Sequence, residues 1–246
     1  MPYERLPFHW PGAISTTLFM LVVIAVCVTL VLFVYRAYNE SERTIARRRS
    51  IQTALAILVI ALITGALAQS GLLLRLAGTP GVLVYPIAFN AIALGVALSS
   101  VGRRLSALPL AWLVLLHTFR LPLELILHAW FEQGSIPLQM TYRGQNFDII
   151  TGVASLFVGI AALVRTRSTR MLVWTFNVTG TLLLLNVIRI AITSVPGPLR
   201  SLGANAPLLL PFYLPFTWIL PFCVAPALLG HLVLFRALLS TNHGSE

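Results

Sequence analysis

The sequence predicts an all-α polytopic membrane protein, a seven-helix bundle with its N-terminus outside and its C-terminus in the cytoplasm. Three observations predict it. Of 246 residues, 58% are hydrophobic and only 10% charged, a balance that suits lipid better than water. Apolar runs long enough to cross roughly 30 Å of hydrocarbon recur along the whole chain. Arginines cluster in every second connection between those runs.

The runs fall at approximately 13–38, 51–77, 81–101, 107–131, 147–164, 171–194 and 209–239, a single integral domain with no room for a soluble one. The first is too long for the apolar core of a signal peptide and shows no small-residue cleavage site, so it is read as a retained helix. Arg43, Arg47, Arg48 and Arg49 follow it, Arg103 and Arg104 mark the third connection, and Arg165, Arg167 and Arg170 mark the fifth. Single arginines, Arg75, Arg143 and Arg200, mark the others, and Arg5 precedes the first run. Positive charge is retained on the cytoplasmic side, so the three clustered connections are cytoplasmic. The connections 132–146 and 195–208 then lie outside. The last run carries Pro207, Pro211, Pro215, Pro221 and Pro226, each lacking a backbone donor, and its outer half is expected to be kinked or unwound.

The net charge of +10 would suggest nucleic acid in a soluble protein, but here it sits mainly in connections and reads as topology. Every basic residue is arginine, so no lysine Schiff base can form and a retinal protein is excluded. Cys27 and Cys223 lie within apolar runs and imply packing rather than a disulfide framework. Asn177-Val-Thr matches a glycosylation acceptor but falls inside the sixth run, where the match has no meaning. The tryptophans lie mostly near run ends and are read as interface anchors.

Chemistry concentrates in the fourth run, where His117, Arg120, Glu124 and His128 follow one another at steps of three, four and four. That spacing sets them on one helix face. A charged side chain in hydrocarbon must pair or reach water, so Arg120 and Glu124 should face the interior and can pair with each other across a kink at Pro122. Asn186 and Arg189 in the sixth run, Asn146 and Asp148 at the start of the fifth, and Gln69, Ser70, Tyr85 and Asn90 should reach a similar depth. Two buried arginines and two carboxylates would balance in charge. Asp148, Gly152, Ser155, Gly159 and Ala162 form a stripe suited to close helix packing. No H-E-x-x-H pair or G-x-S-x-G turn occurs, so no metal site is assigned and no serine nucleophile is indicated. His231 is placed near the cytoplasmic end of its run.

The segment Phe119-Arg-Leu-Pro-Leu-Glu124, with Met140-Thr-Tyr-Arg-Gly144 and Asn146-Phe-Asp-Ile149, resembles a pattern of uncharacterised bacterial seven-helix integral membrane proteins. The resemblance covers roughly 119–152 and implies a multi-pass protein of a bacterial inner membrane, with Arg120, Glu124, Asn146 and Asp148 acting as a unit. It carries no activity and no cofactor.

These residues support three functions. The first is an outward pocket of Arg120, Glu124, His128, Asn146, Asp148, Asn186 and Arg189 that binds or transports a small polar or anionic solute. The second is an intramembrane enzyme using Glu124 or Asp148 as acid or base. The third is a subunit that packs against an oligomeric or other protein partner, with the polar groups as an internal staple. The lipid bilayer is a partner in all three, and nucleic acid in none. The arginine alternation predicts that a reporter fused after Ser245 reads as cytoplasmic and a tag before Pro2 as external. An external C-terminus would remove one of the seven spans.

Overall fold

A computed structural model describes residues 8–39, 42–164, 169–201 and 207–240, so Arg5, Arg165 and Arg167 lie outside the described residues. The described residues are helical and irregular, with no strand among them. Six helices are long and apolar enough to cross a membrane, and a seventh apolar helix, Ile149–Val164, is shorter, so the chain is a multi-pass membrane protein.

The first two helices, α1 (Ala13–Asn39) and α2 (Arg43–Gln69), pack side by side. Arg43, Arg47, Arg48 and Arg49 form the opening turns of α2 rather than a connection. Arginine is a good helix former, and a helix can run on past the hydrocarbon once its apolar length is spent. The run expected at 51–77 therefore begins earlier and ends at Gln69, with a separate turn of helix at Leu72–Leu76. Next come α3 (Val84–Leu98) and a fourth span broken into α4 (Leu110–Leu115), a 3-10 turn (Leu116–Phe119) and α5 (Arg120–Glu132). Then come α6 (Ile149–Val164), α7 (Thr169–Ser194) and α8 (Ala225–Ser240).

The fourth span and the last are 61% and 56% buried over their apolar windows, against 17–28% for the other four long helices, so these two form the centre of the bundle. The outer helices turn large apolar side chains outward, among them Leu21, Leu32, Leu62, Ile87 and Leu182. In water such a surface would be unfavourable at each position, whereas lipid tails accept it.

The proline-rich entry to α8 is irregular, as its missing donors require. It comprises 3-10 turns at Leu210–Phe212 and Phe216–Trp218, then a π-helical turn at Leu220–Val224. Trp130 is not an interface anchor: it is fully buried against Phe19 and Phe216 in the main apolar core.

The small-residue stripe on α6 is fully buried and lies against the broken span. A Cβ added to Gly152 would strike the backbone of Leu121, and one on Gly159 would meet the side chain of Leu115 at 2.5 Å. Gly152→Val should therefore lower unfolding stability in detergent by about 1–3 kcal/mol. Gly95→Ala, with nothing within 4 Å of the new methyl, should be neutral or slightly stabilising. Thermal melts of the two variants check this contrast, which fails if they behave alike.

Candidate functional site

Pro122 explains the break in the fourth span. It sits in the first turn of α5, and the backbone N–H it lacks leaves the carbonyl of Thr118 without its usual helical donor. Its ring crowds the carbonyl one turn back, so an α-helix cannot run through, and residues 116–119 tighten into a 3-10 turn. With about three residues per turn, His117 and Arg120 fall one above the other and enter the interior together.

Arg120 is 1% exposed, and each of its three guanidinium nitrogens has a protein partner. Nε and Nη2 pair with the two carboxylate oxygens of Asp148, a bidentate fork, and Nη1 donates to His231 Nε2 at 2.9 Å. A guanidinium only donates, so His231 Nε2 accepts and the ring proton resides on Nδ1. Nδ1–H in turn donates to Asn177 Oδ1 at 2.8 Å, while Asn177 Nδ2 donates to the His231 carbonyl at 3.2 Å. His117 stacks on His231 with ring centroids 4.1 Å apart. The two rings fit because Gly180 and Gly230 lie against them. A Cβ on Gly180 would sit 2.6 Å from His231 Cε1, and one on Gly230 would sit 2.8 Å from His117 Nε2.

Glu124, 2% exposed, does not pair with Arg120 as expected, because Asp148 already fills the guanidinium fork. Its partner is Asn146, whose Nδ2 lies 2.9 Å from both carboxylate oxygens and 3.1 Å from the Met140 carbonyl. Asn146 Oδ1 accepts from the Asp148 backbone N–H at 3.0 Å. One asparagine thus ties the Glu124 carboxylate to the segment that delivers Asp148.

Arg120, Glu124 and Asp148 line one end of a cavity of about 110 Å³ between α3 and α7, with α5 behind it. The remaining walls are almost wholly apolar, including Leu123, Leu127, Leu184, Ile188 and Ala227. Tyr85 and Asn90 also line it, as their depth implied; the Tyr85 hydroxyl is engaged with Thr217 Oγ1 at 2.9 Å.

Other expected site residues lie elsewhere. Arg189 is exposed and bonds to Asn186 Oδ1 and Gln145 Oε1, and Asn186 Nδ2 donates to the Gln145 carbonyl. His128 lies beside Glu132, 3.6 Å from its carboxylate, and packs against Tyr142 with the rings tilted by 39°. Gln69 ends α2 and Ser70 caps it, neither lining the cavity. Conversely, His231 is central rather than near a helix end in its contacts, and Asn177 is its fixed partner. Both had one sequence signal, a polar residue within an apolar run, which is costly unless it has a partner.

Asp148→Ala should cost about 3–5 kcal/mol of stability, because it leaves a buried guanidinium uncompensated. Arg189→Ala should stay within about 0.5 kcal/mol, since that side chain is exposed. Glu124→Gln should be milder than Glu124→Ala, because the amide keeps an acceptor for Asn146. Detergent melts of the four variants measure the ordering. Equal losses at Asp148 and Arg189 would overturn the assignment of Arg120 to a buried pair.

Neither the curated proteins nor the solved structures contain a match to this chain. A family described as a domain of unknown function (DUF8737) matches residues 77–239, from just before α3 to the end of α8. That stretch holds every residue of the buried network and leaves out α1 and α2. The chain belongs to this DUF8737 family of unknown function.

Proposed function

We propose that this protein binds an amphiphile, with the ligand's polar end at Glu124, Arg120 and Asp148 and its apolar body between α3 and α7. The supporting observation is the cavity itself, whose charged side chains are linked to one another directly or through Asn146, while the rest of its wall is apolar apart from Tyr85 and Asn90. A small polar or anionic solute would leave that apolar wall unmatched. An amphiphile matches both parts. The cavity is smaller than a long alkyl chain, so the tail leaves between the two helices into lipid.

We infer a seven-crossing arrangement in which Ile149–Val164 is the shortest span and the arginine clusters are cytoplasmic. In that frame the lining residues Leu76, Gly81, Val82, Pro211 and Phe212 belong to the outer end. The irregular backbone there is consistent with a binding site, because non-helical chain at membrane depth is tolerated where it is buried in protein or borders a cavity.

The test is thermal stabilisation of the purified full chain in a sterol-based detergent, which presents no single alkyl chain. A single-chain dodecyl amphiphile at saturation, about a hundred times its dissociation constant, should add about 2.7 kcal/mol to stability, while short water-soluble solutes should add nothing. Ala191→Trp, which fills the cavity wall without touching the polar network, should abolish the response. Stabilisation by short solutes alone, or an undiminished response in Ala191→Trp, would sink the reading.

A further inference from the structure

We propose that the polar end of the ligand is cationic: the pocket takes a single-chain amphiphile headed by a primary ammonium group, docked on the Glu124 carboxylate. This rests on the amphiphile reading above and adds the sign of the headgroup.

At the cavity's polar end Asp148 is paired with Arg120, whereas Glu124 has no cationic partner among the described residues, so with Glu124 ionised the formal sum is 1 − 2 = −1. The second cation that the sequence offered, Arg189, is exposed and held by Gln145 and Asn186. His231 adds no charge, because its Nε2 accepts from Arg120 and its single proton points to Asn177. His128 is engaged with Glu132 and Tyr142 and does not line the cavity.

Hydrogen-bond capacity gives the same sign. The Glu124 carboxylate offers about four lone-pair positions. Its donor among the described residues is Asn146 Nδ2, a neutral amide shared with the Met140 carbonyl. An ammonium has three donors and no acceptor, so it fills the remaining lone pairs of Glu124 and restores neutrality. An anionic head would meet two carboxylates, and the one guanidinium lining the cavity is already held in a two-point pair with Asp148. Like charges brought together at a dry site repel strongly. Headgroup sign therefore discriminates more sharply here than chain length.

The experiment compares dodecylamine, dodecanol and dodecanoate at neutral pH, with butylamine as the chainless control. Bound mass is read on the full chain released from micelles of the same sterol-based detergent, for the wild type and for Glu124→Gln. The wild type should retain dodecylamine about tenfold better than dodecanol and dodecanoate least, a factor of ten being about 1.4 kcal/mol. Butylamine should not be retained. Glu124→Gln, checked by its melting curve, should bind dodecylamine and dodecanol alike. Equal retention of all three dodecyl compounds by the wild type would overturn the cationic headgroup while leaving the amphiphile reading intact. Retention of none of them would overturn both. Preference for dodecanoate, or an unchanged amine preference in a folded Glu124→Gln, would overturn the headgroup assignment alone. The wild-type ranking decides the question even if the variant does not fold.

Discussion

A guanidinium buried inside a helical membrane protein must have its charge balanced and its donors met by protein, and the centre of this bundle is arranged to do that for Arg120. Asp148 takes two of its nitrogens and His231 a third. Each of those partners is itself held, Asp148 through its backbone by Asn146, and His231 by Asn177. These four residues come from three parts of the chain, so one ionic requirement draws together α5, the segment just before α6, α7 and α8. Removing any one partner would leave a polar group without its mate in a medium that cannot supply water.

The backbone is irregular where this centre needs it. The fourth span breaks into a 3-10 turn just before Arg120, and the last span begins with 3-10 and π turns before it becomes regular. These are also the two most buried spans, so the departures are enclosed by other helices instead of facing lipid. The glycines at 152, 180 and 230 do complementary work by admitting a neighbouring backbone or ring where a methyl would collide. Proline sets where the chain turns, and glycine sets how closely the turned chain can be approached.

The cavity's one-sided polarity comes from the same arrangement. Asp148 is committed to Arg120, whereas Glu124 is held by a neutral amide and turned to the apolar space between α3 and α7. In the proposed reading a carboxylate in that position would distinguish ligands by charge, while the leucine and isoleucine walls would distinguish them by shape and apolar area. The family match over residues 77–239 covers both parts of this site, and α1 and α2 pack beside it.

By itself the sequence determined those features that counting and periodicity can reach. The long apolar runs identified a multi-pass helical protein, the proline series marked an irregular entry to α8, and of the four residues placed on one face of the fourth span His117, Arg120 and Glu124 are buried while His128 lies beside Glu132. Asn146 and Asp148 were also readable, since a polar pair opening an apolar run needs partners. Partner choice was decided only by the tertiary structure. Arg120 and Glu124 are one turn apart, yet Arg120 reaches across to Asp148 and His231, because a bidentate carboxylate and an imidazole acceptor satisfy the guanidinium better than a single neighbour on its own helix. Arg189 matched Glu124 in depth but not in direction, since depth is set by rise per residue while direction depends on how helices rotate and pack. Helix rotation is fixed by contacts among segments far apart in the chain. For that reason the lack of a cationic partner for Glu124 among the described residues emerges only once the helices are assembled.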